Sequence, residues 1–165
     1  NQTPRAITTL ASFRARNART SSKLIDESRV LELTLKLTEC SKETTRTPQE
    51  EDEALANISR RGQCLLEAHN LFNEIVQKSE IAFSEISSTI IANGSRSFIE
   101  ACQSPPPPKV SRKTAELKQY QLELADRFSQ DCDDVRAKAK TILNQGKASV
   151  SARSKKFFQQ PIEVL

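Results

Sequence analysis

Residues 48–92 read PQEEDEALANISRRGQCLLEAHNLFNEIVQKSEIAFSEISSTIIA. Taken at alternating steps of three and four, this stretch gives Leu55, Ile58, Gly62, Leu65, His69, Phe72, Val76, Ser79, Phe83, Ile86 and Ile90. Most of these positions are apolar, and most positions between them are Glu, Asn, Gln, Arg, Lys or Ser. That is the period of a helix with one buried stripe. Thr47 can cap it, Pro48 suits its first position, and Glu50 stands where a capping box needs an acid. Glu50, Glu51, Asp52 and Glu53 favour the positive end of its dipole. Asn93-Gly94-Ser95 reads as its stop. At 1.5 Å per residue the helix would run roughly 65 Å. Gly62 costs it about 1 kcal/mol relative to Ala, which either a close helix crossing or a break would explain.

The segments on either side also read as helices. Thr3 to Ala18 turns Ile7, Leu10 and Phe13 to one side, with Pro4 in the first turn. Lys23 to Cys40 is ambiguous. Leu31, Leu33, Leu35 and Leu37 alternate with polar residues like a strand, whereas Val30, Leu33, Leu37 and Cys40 share a helical face. Leu, Glu and Lys are good helix formers and no partner strand is evident, so helix is preferred, with Ser22 as its N-cap. Ser41 to Arg46 is a polar connection. Ser97 to Gln103 makes about two helical turns, and Pro105 to Pro108 form a stiff connector. A last long helix starts at Ser111 or Thr114 and carries Leu117, Tyr120, Leu124, Phe128, Cys132, Val135, Ala139 and Ile142 on one face. It ends near Asn144-Gln145-Gly146. Lys155-Lys156-Phe157-Phe158 follows as a basic-aromatic patch, then a tail.

Composition agrees with this reading. The 165 residues hold only 3 Gly, the 7 Pro are clustered, and the hydrophobic fraction is 36%. A β-sandwich needs turn residues every eight to twelve positions, and the chain lacks them. The expected fold is all-α: a single domain over 1–165, an elongated bundle of three long helices plus one or two short ones, stapled by disulfides. Residues 1–3 and 159–165 are expected to be flexible ends.

Cys40, Cys64, Cys102 and Cys132 are 24, 38 and 30 residues apart, without a CxxC pair, so a zinc site is not expected. The one histidine, His69, lies on the stripe of the long helix, where packing is the commoner role, so no catalytic residue is assigned. Three glycines leave no phosphate-cradling loop, and no cofactor is expected. An even cysteine count suits disulfides. Each loop is long enough to run back along the following helix, which favours Cys40–Cys64 with Cys102–Cys132 over a Cys64–Cys132 link between the long helices. Each bond could contribute about 3 kcal/mol.

Net charge is +4. Asn1 to Lys23 carries Arg5, Arg14, Arg16, Arg19 and Lys23 without an acid, and Gln145 to Leu165 carries Lys147, Arg153, Lys155 and Lys156 against Glu163. Arg14, Arg16, Arg19, Arg153, Lys155 and Lys156 are the candidate contacts for an anionic partner, either a glycosaminoglycan or an anionic membrane surface. Nucleic acid is not an expected partner, since cations and aromatics interleave only at 155–158. No apolar run reaches the roughly 18 residues of a membrane span. A chain that lacks Met and opens on Asn1 reads as one whose secretory signal was removed. Sequons at Asn93 and Asn57, and a third at Asn1, point the same way, Asn93 being the better acceptor if Asn-Gly is a turn. The expected function is a secreted, non-enzymatic helical binding protein, such as a host-, immune- or receptor-directed ligand, whose partner is another protein. The alternatives are an intracellular (cytoplasmic) scaffold or tether subunit and a carrier of lipids or small apolar ligands.

Overall fold

The computed structural model describes residues 2–17, 22–42, 51–105 and 114–165. Among these there is no strand. The helices are α1 (Thr3–Arg16), α2 (Ser22–Lys42), α3 (Glu51–Lys78), α4 (Ile81–Gln103), α5 (Thr114–Ser149) and α6 (Gln159–Val164), with a 3-10 turn at Lys155–Phe158 before α6. The Thr47–Glu50 capping box, the 41–46 connection beyond Lys42, the prolines after Pro105 and the Ser111 cap lie outside the described residues. Ser22 is the first helical residue of α2 rather than a residue preceding it.

The single helix expected over 48–92 is two helices. The chain breaks at Ser79-Glu80, where Glu80 is extended (φ −62°, ψ 153°). The cause lies outside the stretch. The Asp26 carboxylate of α2 accepts the Glu80 N–H at 3.0 Å and so caps α4 from a distance. Arg29 holds Asp26 in place and also reaches Ser79 Oγ at 3.3 Å. Conversely, Asn93-Gly94 does not stop a helix, for α4 runs through it. The expected bundle of three long helices is therefore replaced by α2, α3, α4 and α5, with the shorter α1 alongside.

The glycines explain themselves by close approach. None has a positive φ. A Cβ on Gly62 would lie 2.6 Å from Val135 Cγ2 of α5, and one on Gly94 2.6 Å from Leu37 Cδ2 of α2. One on Gly146 would lie 2.4 Å from Asn73 Oδ1 of α3. All three sit inside helices at crossings, and Gly146 does not end α5.

Paired contacts fix the register. Cys40 is bonded to Cys64, and Lys36 pairs with Glu67, so α2 and α3 are antiparallel. Arg61 donates to Ser97 O at 2.8 Å, which sets α4 antiparallel to α3. Gly62 faces Val135, Asn73 donates to Ile142 O and Gln77 to Ser149 Oγ, so α5 runs parallel to α3. Cys102 is bonded to Cys132 and ties α4 to α5. α1 lies antiparallel on α2, with Lys42 donating to Thr3 Oγ1 and Arg14 paired to Glu32.

The core forms on α3, which contributes Ala54, Ile58, Leu65, Ala68, Phe72, Ile75 and Val76. Leu33, Ile91, Phe98, Tyr120, Leu124, Phe128, Ala139 and Leu143 close over it. The expected flexible tail at 159–165 is instead docked. Phe157 and Phe158 are buried, Phe158 meets Phe72 edge to face at 5.2 Å, and Pro161 and Leu165 are buried. Arg136 of α5 donates to Leu165 O at 2.7 Å. Apolar burial, not backbone bonding alone, holds this end down. At the other end, Thr3 is buried at the start of α1, and Asn1 lies outside the described residues.

Candidate functional site

His69 sits on the core face of α3, fully buried, with Nδ1 2.8 Å from Leu65 O and Nε2 3.2 Å from Ser95 Oγ of α4. Ser95 Oγ is also 2.9 Å from Ile91 O. Nδ1–H donates to Leu65 O, leaving Nε2 an acceptor that shares the single Ser95 hydroxyl proton with Ile91 O. Burial pushes the imidazole pKa down to about 4, the bond to Leu65 opposing the shift. A neutral, enclosed ring with both nitrogens engaged is a packing element that links α3 to α4. Arg61, also buried, donates to both Ser97 O and Ser97 Oγ at 2.8 Å. Burial lowers its pKa, and nearby Glu100 offsets part of the effect. These polar groups hold helices together.

Among the described residues, no three His, Cys, Asp or Glu side chains come together so as to hold a metal ion. No described helix is long and apolar enough to cross a membrane. An open cleft of about 290 Å³ flanks the second disulfide, lined by residues that include Ile99, Ala125, Ser129 and Arg136.

The sequons fare differently. Asn93 is exposed on α4, where Arg96 donates to its Oδ1 at 3.0 Å, but Ser95 of the same sequon is in the core. Asn57 is only 5% exposed, and its Oδ1 accepts from Arg60. A glycan there would have to displace α3 from its neighbours, so the expectation for Asn57 is corrected. The sequon at Asn1 lies outside the described residues.

The anionic-contact candidates separate as well. Arg14 is engaged, paired with Glu32 and directed at Ser28 O. Arg16, Arg153, Lys155 and Lys156 are exposed, and Arg19 lies outside the described residues. Phe157 and Phe158 do not form a surface patch with the lysines, since both rings are core. Lys156 Nζ caps one ring from outside, 5.0 Å from the Phe157 centroid.

One surface feature was not foreseen. α2 buries Asp26, Ser28 and Glu32 while leaving Leu24 and Leu31 each 49% exposed. These leucines are seven residues apart, on one helix face. Leu35, near that face, is half-buried and stands outside the core, as do Ile7, Leu10 and Phe13 of α1. The alternating leucines at 31–37 carried this signal, because alternation places apolar residues on more than one side of a helix.

Comparison with known protein families, characterised proteins and solved structures finds no match.

Proposed function

We propose that this chain is an extracellular, non-enzymatic binding protein whose partner docks on its helical surface. The observation that carries the reading lies on α2, where Asp26 and Glu32 are buried while Leu24 and Leu31 are each 49% exposed. The carboxylates have assigned work: Asp26 caps α4 and Glu32 anchors α1 through Arg14. Leu24 and Leu31 have no comparable internal role, and exposed apolar residues grouped on one face mark interaction surfaces. Two disulfides support an oxidising compartment. They also hold the helices in register, which reduces what a partner must order on binding.

The test is saturable binding of labelled protein to intact cells and extracellular matrix, comparing wild type with L24S/L31S. The variant is expected to keep its helicity and lose at least tenfold in affinity. Wild-type protein that binds nothing saturably, or a variant that binds equally well, would overturn the proposal. The outward leucines also fit the tether reading, in which a partner helix covers them. A thiol count on protein taken directly from its source separates the two readings: none for the extracellular protein, four for a reduced cytoplasmic one.

A further inference from the structure

The register of the helices brings basic residues from the two ends of the sequence, Arg16 and Lys23 with Lys147 to Lys156, to one pole of the bundle. The C-terminal part of α1 lies beside the second and third turns of α2, through Arg14 with Ser28 and Glu32. The start of α2 meets the α3–α4 junction, through Asp26 with Glu80 N–H and Ser22 Oγ with Glu80 Oε1 at 3.4 Å. The end of α5 meets the end of α3, through Gln77 with Ser149 Oγ at 2.9 Å. The following 3-10 turn is held to the first turns of α4, through Ser88 Oγ donating to Phe157 O at 2.7 Å. Arg16, Lys23 and residues near 147–156, remote in sequence, therefore share one end of the molecule.

Arg16, Lys23, Arg153, Lys155 and Lys156 are exposed there, and Lys147 is half-buried. None of the six is in an ion pair among the described residues. Many acids of this pole are already engaged: Asp26 by Arg29 and the α4 cap, Glu32 by Arg14, Glu74 by Lys78. Glu27, Glu80 and Glu85 remain exposed. The far end is mixed in charge, with Asp52, Glu100, Glu116 and Glu123 exposed beside Arg5, Lys42, Arg60, Lys118 and Arg127.

Building on the extracellular binding reading, we infer that this pole binds a sulfated glycosaminoglycan. Three features favour that polyanion. The cations are spread over several helices spaced about 8–10 Å apart, so they cover up to about 30 Å, which suits a linear chain carrying repeated charges. Phe157 and Phe158, the aromatics next to the lysines, are buried, so neither ring is offered for base stacking. Two disulfides fit the extracellular setting in which sulfated polysaccharide is met.

The experiment is calorimetric titration with a heparin octasaccharide at 50 and 200 mM salt. Wild-type protein is expected to bind, with affinity falling steeply as salt rises. R153Q/K155Q/K156Q should weaken binding on the order of tenfold, and R16Q/K23Q should weaken it as well, since both sets lie on one face. R5Q/K118Q, at the far pole with as many charges removed as in R16Q/K23Q, should stay within twofold. Equal losses in that control would reduce the effect to net charge and overturn the inference. So would an unaffected R16Q/K23Q, no heparin binding, or tighter binding to phosphatidylserine vesicles or to single-stranded DNA. Cell-surface binding that is saturable and survives heparinase would overturn this inference while leaving the proposed function standing.

Discussion

α3 and α2 lie side by side, joined by Cys40–Cys64, yet they are held by different forces. α3 is placed by area: its seven core residues recur at helical spacing and would find an apolar environment in many packings. α2 buries only Leu33 and Cys40 as apolar groups and is placed by direction. Its disulfide, the Lys36–Glu67 pair, the Arg14–Glu32 pair and the Asp26 cap each demand one geometry. Apolar burial supplies the stability of such a bundle, and directed bonds select among its registers.

The contrast can be broken at its strongest point by Phe72→Ala. The ring is fully buried against Phe158, and its loss should cost about 3–5 kcal/mol by urea denaturation. The C40S/C64S variant should lose about 3 kcal/mol. Amide exchange should show α1 and α2 opening ahead of α3, and simultaneous opening of all three would mean that α2 belongs to the same cooperative unit. His69 is the polar exception within α3. Its folded pKa of about 4 lies below the unfolded value of about 6.5. Its contribution is therefore complete above about pH 6.5 and is lost as pH falls toward 4, by up to roughly 3 kcal/mol. A His69→Gln variant should show a flatter profile across that window. Last, Asp26→Ala strips the cap from α4 and leaves Arg29 without its anion, at about 2 kcal/mol. Asp26→Asn keeps an acceptor and should recover part of that loss.

The same contrast governs how much of the fold was legible from residue order. The stripe of α3 and that of α5 were plain, because periodicity reports area burial. The break at Ser79-Glu80 was hidden. Neither residue is Gly or Pro, and the group that caps the new helix, Asp26, is 54 residues away. Asn93-Gly94 gave a false stop for the converse reason: Gly94 is there to admit Leu37, a requirement that only the tertiary crossing reveals. Gly62 by itself is compatible with a break or a crossing, and Val135 packed against it decides for the crossing. The docking of the C-terminal segment is legible in the sequence. Phe157, Phe158, Pro161, Ile162 and Leu165 recur at spacings that put several apolar groups on one side of a short helix. The lysines before them drew the reading outward. On the surface, both basic clusters were visible as sequence, but their meeting at one pole follows from the antiparallel and parallel pairings of five helices.

The two disulfides close loops of 24 and 30 residues that neither overlap nor nest. A chain pulled from its two ends would therefore extend as if those residues were missing. At about 3.3–3.6 Å each, they represent roughly 180 Å of hidden length. Tension would load α1, α2, the second half of α3, α4 and the far half of α5, while the inter-helix connections inside the loops carried none. Under a reductant the reserve would be released in two discrete steps, the second loop giving the longer one. An anchored protein of this design keeps a short, stiff span in an oxidising medium and lengthens only on reduction.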